Sequence, residues 1–189
     1  MPRAGLSTAA VVDAALEVVD EQGAAALTLA AVAARTGVAA PSLYKHVAGL
    51  AGLRDLVGVR VLEDMADRFA RVAMGRAGDA AVAALMHEYR AYVREYPARY
   101  TAMPHDPLHA GPAQVAAGGR LIEVLFAVLR GYGLTGSAAV HAARCLRAVV
   151  HGFADIEAAG GFGLAENVDE SYAHLIEMFV NSLPREEIP

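Results

Sequence analysis

The chain has 189 residues, of which 56% are hydrophobic and 6% aromatic, and a formal net charge of −5. That length supports one or two globular domains with a mainly aliphatic core, and the acidic balance supplies no general attraction to nucleic acid. No uncharged apolar run approaches the ~20 residues of a membrane span, and the single cysteine, Cys145, excludes an internal disulfide, as suits a reducing cytoplasm.

Helical periodicity runs throughout, without a convincing strand. Met1–Thr8 lead into an amphipathic helix rather than an apolar signal core. Helix 1 is expected over about Thr8–Gln22, with Val11, Ala15 and Val18 inward and Gly23 ending it. Its Asp13, Glu17, Asp20 and Glu21 recur at helical spacing and read as a solvated face. Thr28 can cap a second helix, on which Leu29, Val32 and Ala33 share a face. Gly37 can take the left-handed conformation that turns the chain, and Pro41 suits the first turn of a third helix. Leu43 and Val47 then pack inward, leaving Ser42, Tyr44, Lys45 and His46 outward. This is the layout of two short helices that present one of them to a DNA major groove.

A long helix 4 follows from about Leu50 to Val72, with Leu53, Leu56, Val57, Val61 and Met65 inward. Helix 5, about Asp79–Tyr96, is capped by Asp79 and stopped by Pro97; Met86, Tyr89, Arg90, Val93 and Tyr96 form one stripe along it. A short turn at Ala98–Met103 precedes a loop over residues 104–113. Helix 7 spans about Gln114–Leu129, helix 8 about Ser137–Ala159, and helix 9 about Val168–Leu183. The helix 5 stripe, with Phe126 from helix 7 and His141, Arg144 and Cys145 from helix 8, is the candidate lining of a ligand pocket. Arg144 or His141 would be its polar handle, while Cys145 is expected to be inert packing.

Chemical motifs are sparse. His105-Asp106-Pro-Leu-His109 has metal-like composition, but that histidine spacing suits zinc on a helix, and Pro104 and Pro107 make a loop. There is no phosphate-binding Gly-Lys-Ser/Thr loop and no Gly-x-Ser-x-Gly. No metal, cofactor or catalytic centre is expected, and the chain reads as no enzyme.

Pro41-Ser-Leu-Tyr-Lys-His-Val47, with Leu27-Thr28 before it and Gly37-Val38 between, resembles the helix-turn-helix of the tetracycline-repressor (TetR) family of bacterial transcription regulators. The resemblance is close over residues 6–60 and beyond them extends only to general layout. His151-Gly-Phe153 followed by Gly160-Gly-Phe-Gly163 is similar to the last helices of one large TetR subgroup. The resemblance implies an all-α fold of about nine helices. Residues 1–48 would bind DNA and 49–189 would bind ligand and dimerise, with helix 4, about 50–72, joining the two. Thr28, Tyr44 and His46 would hold phosphates, Lys45 would supply charge, and Ala39, Ala40, Pro41 and Ser42 would lie near base edges. Val149, Phe153 and Ile156 with Tyr172, Leu175, Ile176 and Phe179 would join two copies in a four-helix interface. Many family members carry a lysine where this chain has Leu50.

The implied function is that of a cytoplasmic, homodimeric, ligand-responsive repressor on a palindromic operator, with double-stranded DNA and a small effector as partners and no membrane. The alternative is a dimeric small-molecule binder with a weakened head. The balance within 1–48 motivates it, since Arg3, Arg35 and Lys45 face Asp13, Glu17, Asp20 and Glu21.

Overall fold

The computed structural model describes residues 6–103 and 110–184, and among these it contains helices and no strand. The helices are α1 (Thr8–Gln22), α2 (Leu29–Thr36), α3 (Ala40–Leu43), α4 (Gly49–Ala73), α5 (Gly78–Glu95), α6 (Pro97–Ala102), α7 (Pro112–Leu129), α8 (Gly136–Ala158) and α9 (Val168–Ser182). Each boundary lies close to its expected place, α3 excepted.

The chain divides into two compact units: residues to Asp64 with Tyr96–Gly118, and Met65–Glu95 with the residues from Gly119. It crosses between them inside α4, between α5 and α6, and inside α7.

In the first unit α1 packs on α2, on a 3-10 turn at Ala24–Ala26 and on α6, and α2 packs on α3. Val11, Val12, Ala14, Ala15, Leu16, Val18 and Val19 of α1 are all buried. The Ser7 hydroxyl caps α1 by accepting from the Ala10 amide at 3.2 Å, satisfying an amide that has no partner inside the helix. Leu27 is buried ahead of α2, whereas Leu29 is only half-buried, so the residue before the cap supplies the inward leucine.

In the second unit α5 is the central helix. Ala81, Val82, Leu85, Met86, Tyr89, Arg90, Tyr92 and Val93 are buried on it, more than one stripe would bury. It packs on α8 and α9, which also pack on each other. Asp79 lies in the first turn of α5 and accepts from the Tyr132 hydroxyl at 2.8 Å rather than standing outside as a cap.

One stretch among the described residues, Pro112–Tyr132, is long and apolar enough to cross a membrane by length and composition. It carries Arg120 and Glu123, and Arg120 is ion-paired with Asp67 at 2.9 Å.

Leu43 is fully buried and its neighbour Tyr44 is 63% exposed. Leu43→Ala is expected to destabilise the first unit by about 2–5 kcal/mol through its cavity, and Tyr44→Ala to change it by no more than about 0.5 kcal/mol. Urea unfolding of the two variants side by side checks this contrast.

Candidate nucleic-acid interface

The turn between α2 and α3 is built from local chemistry. Thr28 caps α2, its hydroxyl accepting from the Ala31 amide at 3.1 Å. Gly37 ends the helix at φ 69°, its amide bonding back to Ala33 and Ala34. This is a left-handed conformation that costs a non-glycine residue roughly 1–2 kcal/mol. Ala33, 5% exposed, is small where α2 meets its neighbours.

Instead of running to Val47, α3 stops at Leu43 and continues as tighter turns. Lys45 and His46 donate to the carbonyls three residues back. The Val47 amide still reaches the Leu43 carbonyl at 3.0 Å, so the two side chains stack, and both are buried. The left-handed Gly49, φ 74°, then redirects the chain into α4.

Of the residues expected at DNA, Thr28, Ala39, Pro41, Tyr44 and Lys45 are exposed, while Ala40, Ser42 and His46 are half-buried. Seven of the eight therefore lie within residues 39–46, at the α3 turn, and Thr28 stands at the start of α2. The His46 carbonyl accepts from the Thr8 hydroxyl at 3.3 Å, which ties the turn to α1. Leu50 is half-buried.

The acidic face of α1 is not merely solvated. Asp13 takes Arg60 of α4 at 2.7 Å, Asp20 takes Arg99 of α6 at 2.5 Å, and Glu17 takes Arg35 of α2 at 2.9 Å. The same Arg35 also bonds Glu21. Hydrogen bonds donated to Glu21 and then to Glu17 hold the Arg35 pKa above its ordinary range. Sequence reasoning missed these pairs because their members lie 14 to 79 residues apart.

The second unit holds a different cluster. Arg90, 7% exposed, places its guanidinium in the core. Its Nε donates to Glu157 of α8 at 2.7 Å and its Nη2 to the other oxygen at 2.6 Å, while Asp169 in the first turn of α9 stands 2.7 Å away. The bidentate fork matches the carboxylate, and these bonds, Glu157 first, raise the Arg90 pKa against the opposing cost of burial. The guanidinium also lies 4.7 Å from the Tyr172 ring centre and 5.5 Å from that of Phe153. Burial pushes the Tyr172 phenol well above its ordinary range, and its hydroxyl donates to the Met86 carbonyl.

The Gly160-Gly-Phe-Gly163 break has a local cause. Gly160, at φ 69°, donates to Glu157, and Gly161 donates to the Ile156 carbonyl at 2.8 Å. These two bonds close the end of α8 in the usual paired pattern of a glycine C-cap. A Cβ at Gly161 would sit 2.8 Å from the Ile156 side chain. The turn delivers Phe162 onto Phe153, with ring centres 4.7 Å apart.

Several expected ligand and interface positions lie elsewhere. Met86, Tyr89, Arg90 and Val93 are packed core with no more than 7% exposure, and the charge of Arg90 is already matched by carboxylates. Tyr96 belongs to the first unit, its ring under Arg99 at 4.2 Å. Phe126 is half-buried on α7, while His141, Arg144 and Cys145 are exposed on α8. The reason lies in α8 itself, whose inward positions are Ala139, Leu146, Val150 and Ala154. Tyr172, Ile176 and Phe179 are buried within the chain, on the α9 face that packs on α5 and α8. Val149, Phe153 and Leu175 remain half-buried and Ile156 is 46% exposed. Met178, 71% exposed on α9, was not foreseen; its only signal is an apolar side chain in a polar register. The His105–His109 cluster lies outside the described residues, among which no group of three His, Cys, Asp or Glu is placed to hold a metal ion.

Comparison with known proteins finds matches to two family models. Residues 11–48 match the family model for bacterial regulatory proteins of the tetR family. Residues 82–179 match the model for a tetracyclin repressor-like C-terminal domain. An uncharacterised HTH-type transcriptional regulator of Mycobacterium tuberculosis is 39% identical over 83% of this chain and 72% of its own length. Another from Bacillus subtilis is 32% identical over 96% of this chain and 95% of its own. Among solved structures, a protein of unknown function from Rhodococcus sp. RHA1 superposes with a TM-score of 0.83, at 21% identity, over 98% of this chain and 100% of that one. A TetR variant from Acinetobacter baumannii AYE, in complex with minocycline, superposes with a TM-score of 0.69, at 19% identity, over 94% and 96%.

Glu157→Gln removes the fork while keeping the shape, and leaves Arg90 with Asp169 alone. It is expected to lower the stability of the second unit by about 1–3 kcal/mol, read as an earlier urea midpoint. An unchanged midpoint would show that the Glu157 pair is dispensable.

Proposed function

The chain belongs to the tetR family of bacterial regulatory proteins and is a transcriptional regulator; from that premise we propose that it is a homodimeric, ligand-responsive repressor of a palindromic operator. The observation that carries this reading is the set of exposed Thr28, Tyr44 and Lys45 with half-buried Ser42 and His46, beside an α1 helix whose carboxylates are all paired.

Residues 1–48 form the reading head and 49–189 the ligand-binding and dimerising part. Tyr44, Lys45, His46 and Thr28 contact phosphates, which position the protein without specifying sequence. Ala39 and Ala40 offer only apolar contact, as to a thymine methyl. Two heads sit in major grooves about 34 Å apart or a multiple of it. The two copies meet through α8 and α9, where Ile156 and Met178 are exposed beside half-buried Val149, Phe153 and Leu175. The protein works in the cytoplasm, on the nucleoid when bound.

A small, mainly apolar molecule is the effector. The structural neighbour bound to minocycline supports a small-molecule ligand for this fold, without bearing on its polarity. It acts by preferring one arrangement of α4, which supplies residues to both units, and its effect is bounded by that preference. Leu50, in place of a basic residue, favours a second reading in which the head is weakened and only the ligand function persists.

Sedimentation at micromolar concentration should show a dimer of the 19.7 kDa chain; a monomer would remove the two-headed geometry. Tyr44→Ala should weaken binding to specific and random duplexes by the same factor, measured by fluorescence anisotropy. A loss confined to one sequence would contradict its phosphate role.

A further inference from the structure

The first unit's described residues contain five side-chain cations: Arg35, Lys45, Arg54, Arg60 and Arg99. Arg35, Arg60 and Arg99 are held by the carboxylates of α1. The side chains of Lys45 and Arg54 are exposed and make no ion pair or hydrogen bond within the described residues. We propose that Arg54 is the head's second phosphate-binding cation, acting beside Lys45 and replacing the charge that Leu50 does not supply. This rests on the DNA-binding reading above and adds a residue to it.

The placement follows from helix geometry. Arg54 stands five residues into α4, about 7 Å from its start at 1.5 Å per residue. A helical side chain leans toward the N-terminus and covers the preceding turn. The guanidinium therefore reaches back over Leu50, its i−4 neighbour on the same face, toward the start of the helix that follows the α3 turn. Leu53, Val57, Val61 and Met65 face the core. Arg60, the α4 residue that meets α1, is six positions on, about 120° round at 100° per residue. Arg54 is thus turned away from the acidic helix.

Nearby acids do not claim it. Asp55 accepts instead from the Gln114 side chain at 3.2 Å. Glu63 and Asp64 follow nine and ten residues later on the helix. They stand roughly 14 Å along the axis, beyond the ~8 Å screening length at physiological salt. The free positive charge of the described head therefore lies on the α3–α4 side; the carboxylates of α1 are paired, and Asp55, Glu63 and Asp64 of α4 carry its remaining negative charge. A head with a formal excess of acid is polarised so that only its basic side meets the phosphates.

The number of phosphates neutralised sets the salt dependence of binding, with a slope of log affinity on log salt near −0.9 per contact. Lys45 and Arg54 from two subunits make four contacts, for a slope of about −3.6. The test measures binding of the full-length protein to a random-sequence 40-base-pair duplex between about 50 and 200 mM KCl. Arg54→Ala should bring the slope to about −1.8, and Arg54→Lys should restore it. Arg71→Ala is the control, because Arg71 is an exposed α4 arginine of the second unit with the same charge and no ion pair. An unchanged slope in Arg54→Ala would overturn the proposal while leaving the DNA-binding reading intact. Equal losses in Arg54→Ala and Arg71→Ala would overturn it too, by showing an effect of net charge. No binding by the unmodified protein at the lowest salt would overturn both readings.

Discussion

Seven side chains of α1 are buried, and its four carboxylates meet Arg35, Arg60 and Arg99, so α2, α4 and α6 are each fastened to the same helix. The apolar side carries most of the energy, because burial is worth about 25 cal/mol per Å² whereas exposed ion pairs contribute about 0–1 kcal/mol. The ion pairs matter more for what they remove. Left free, the carboxylates of α1 would repel phosphate across the whole first unit. Tied to arginines at short range, they become local dipoles whose field falls off within a few ångströms of the surface.

A second constraint organises the C-terminal helices. Arg90 sits in the core of α5, a position that a guanidinium tolerates only when its charge is matched and its donors are filled. Glu157 and Asp169 do this from α8 and from the first turn of α9. The glycine cap at Gly160 and Gly161 closes α8 just after its last residue, Ala158, and sends the chain back toward α9. The Phe153, Phe162 and Tyr172 rings then close round the arginine. The motif that reads in sequence as a bare run of glycines is the device that lets three helices share one buried charge.

What was legible in the sequence was what is local. Caps, left-handed glycines and the i, i+4 pair Leu43 and Val47 depend on neighbours within one or two turns, and the helix-turn-helix followed from them. The end of α3 was misplaced because Ser42, Lys45 and His46 satisfy their amides by three-residue turns, which helical spacing does not distinguish from a continuing helix. Pairing across the fold was not legible. Nothing in the order of residues couples Arg90 to Glu157, 67 positions away, or marks the acids of α1 as taken. The same limit applies on α9: Tyr172, Ile176 and Phe179 are apolar enough for either an internal or an external contact, and it is the packing of α9 on α5 and α8 that buries them within the chain. Cys145 and His141 were placed inward for the same reason and lie outside.

A head that specifies little through its own side chains must gain selectivity from geometry. In the proposed complex, with Ala39 and Ala40 at the start of α3, most of the available hydrogen bonding would go to phosphates, so the distance between two heads would become the main filter on sequence, together with the deformability of the duplex between half-sites. The most direct test is to sequence the genomic fragments that the purified protein retains at about 100 mM salt, with a Tyr44→Ala, Lys45→Ala double variant alongside. Enrichment of a palindromic site by the natural protein and its loss in the variant is the predicted result. A folded, dimeric protein that enriches no site would contradict the DNA-reading role.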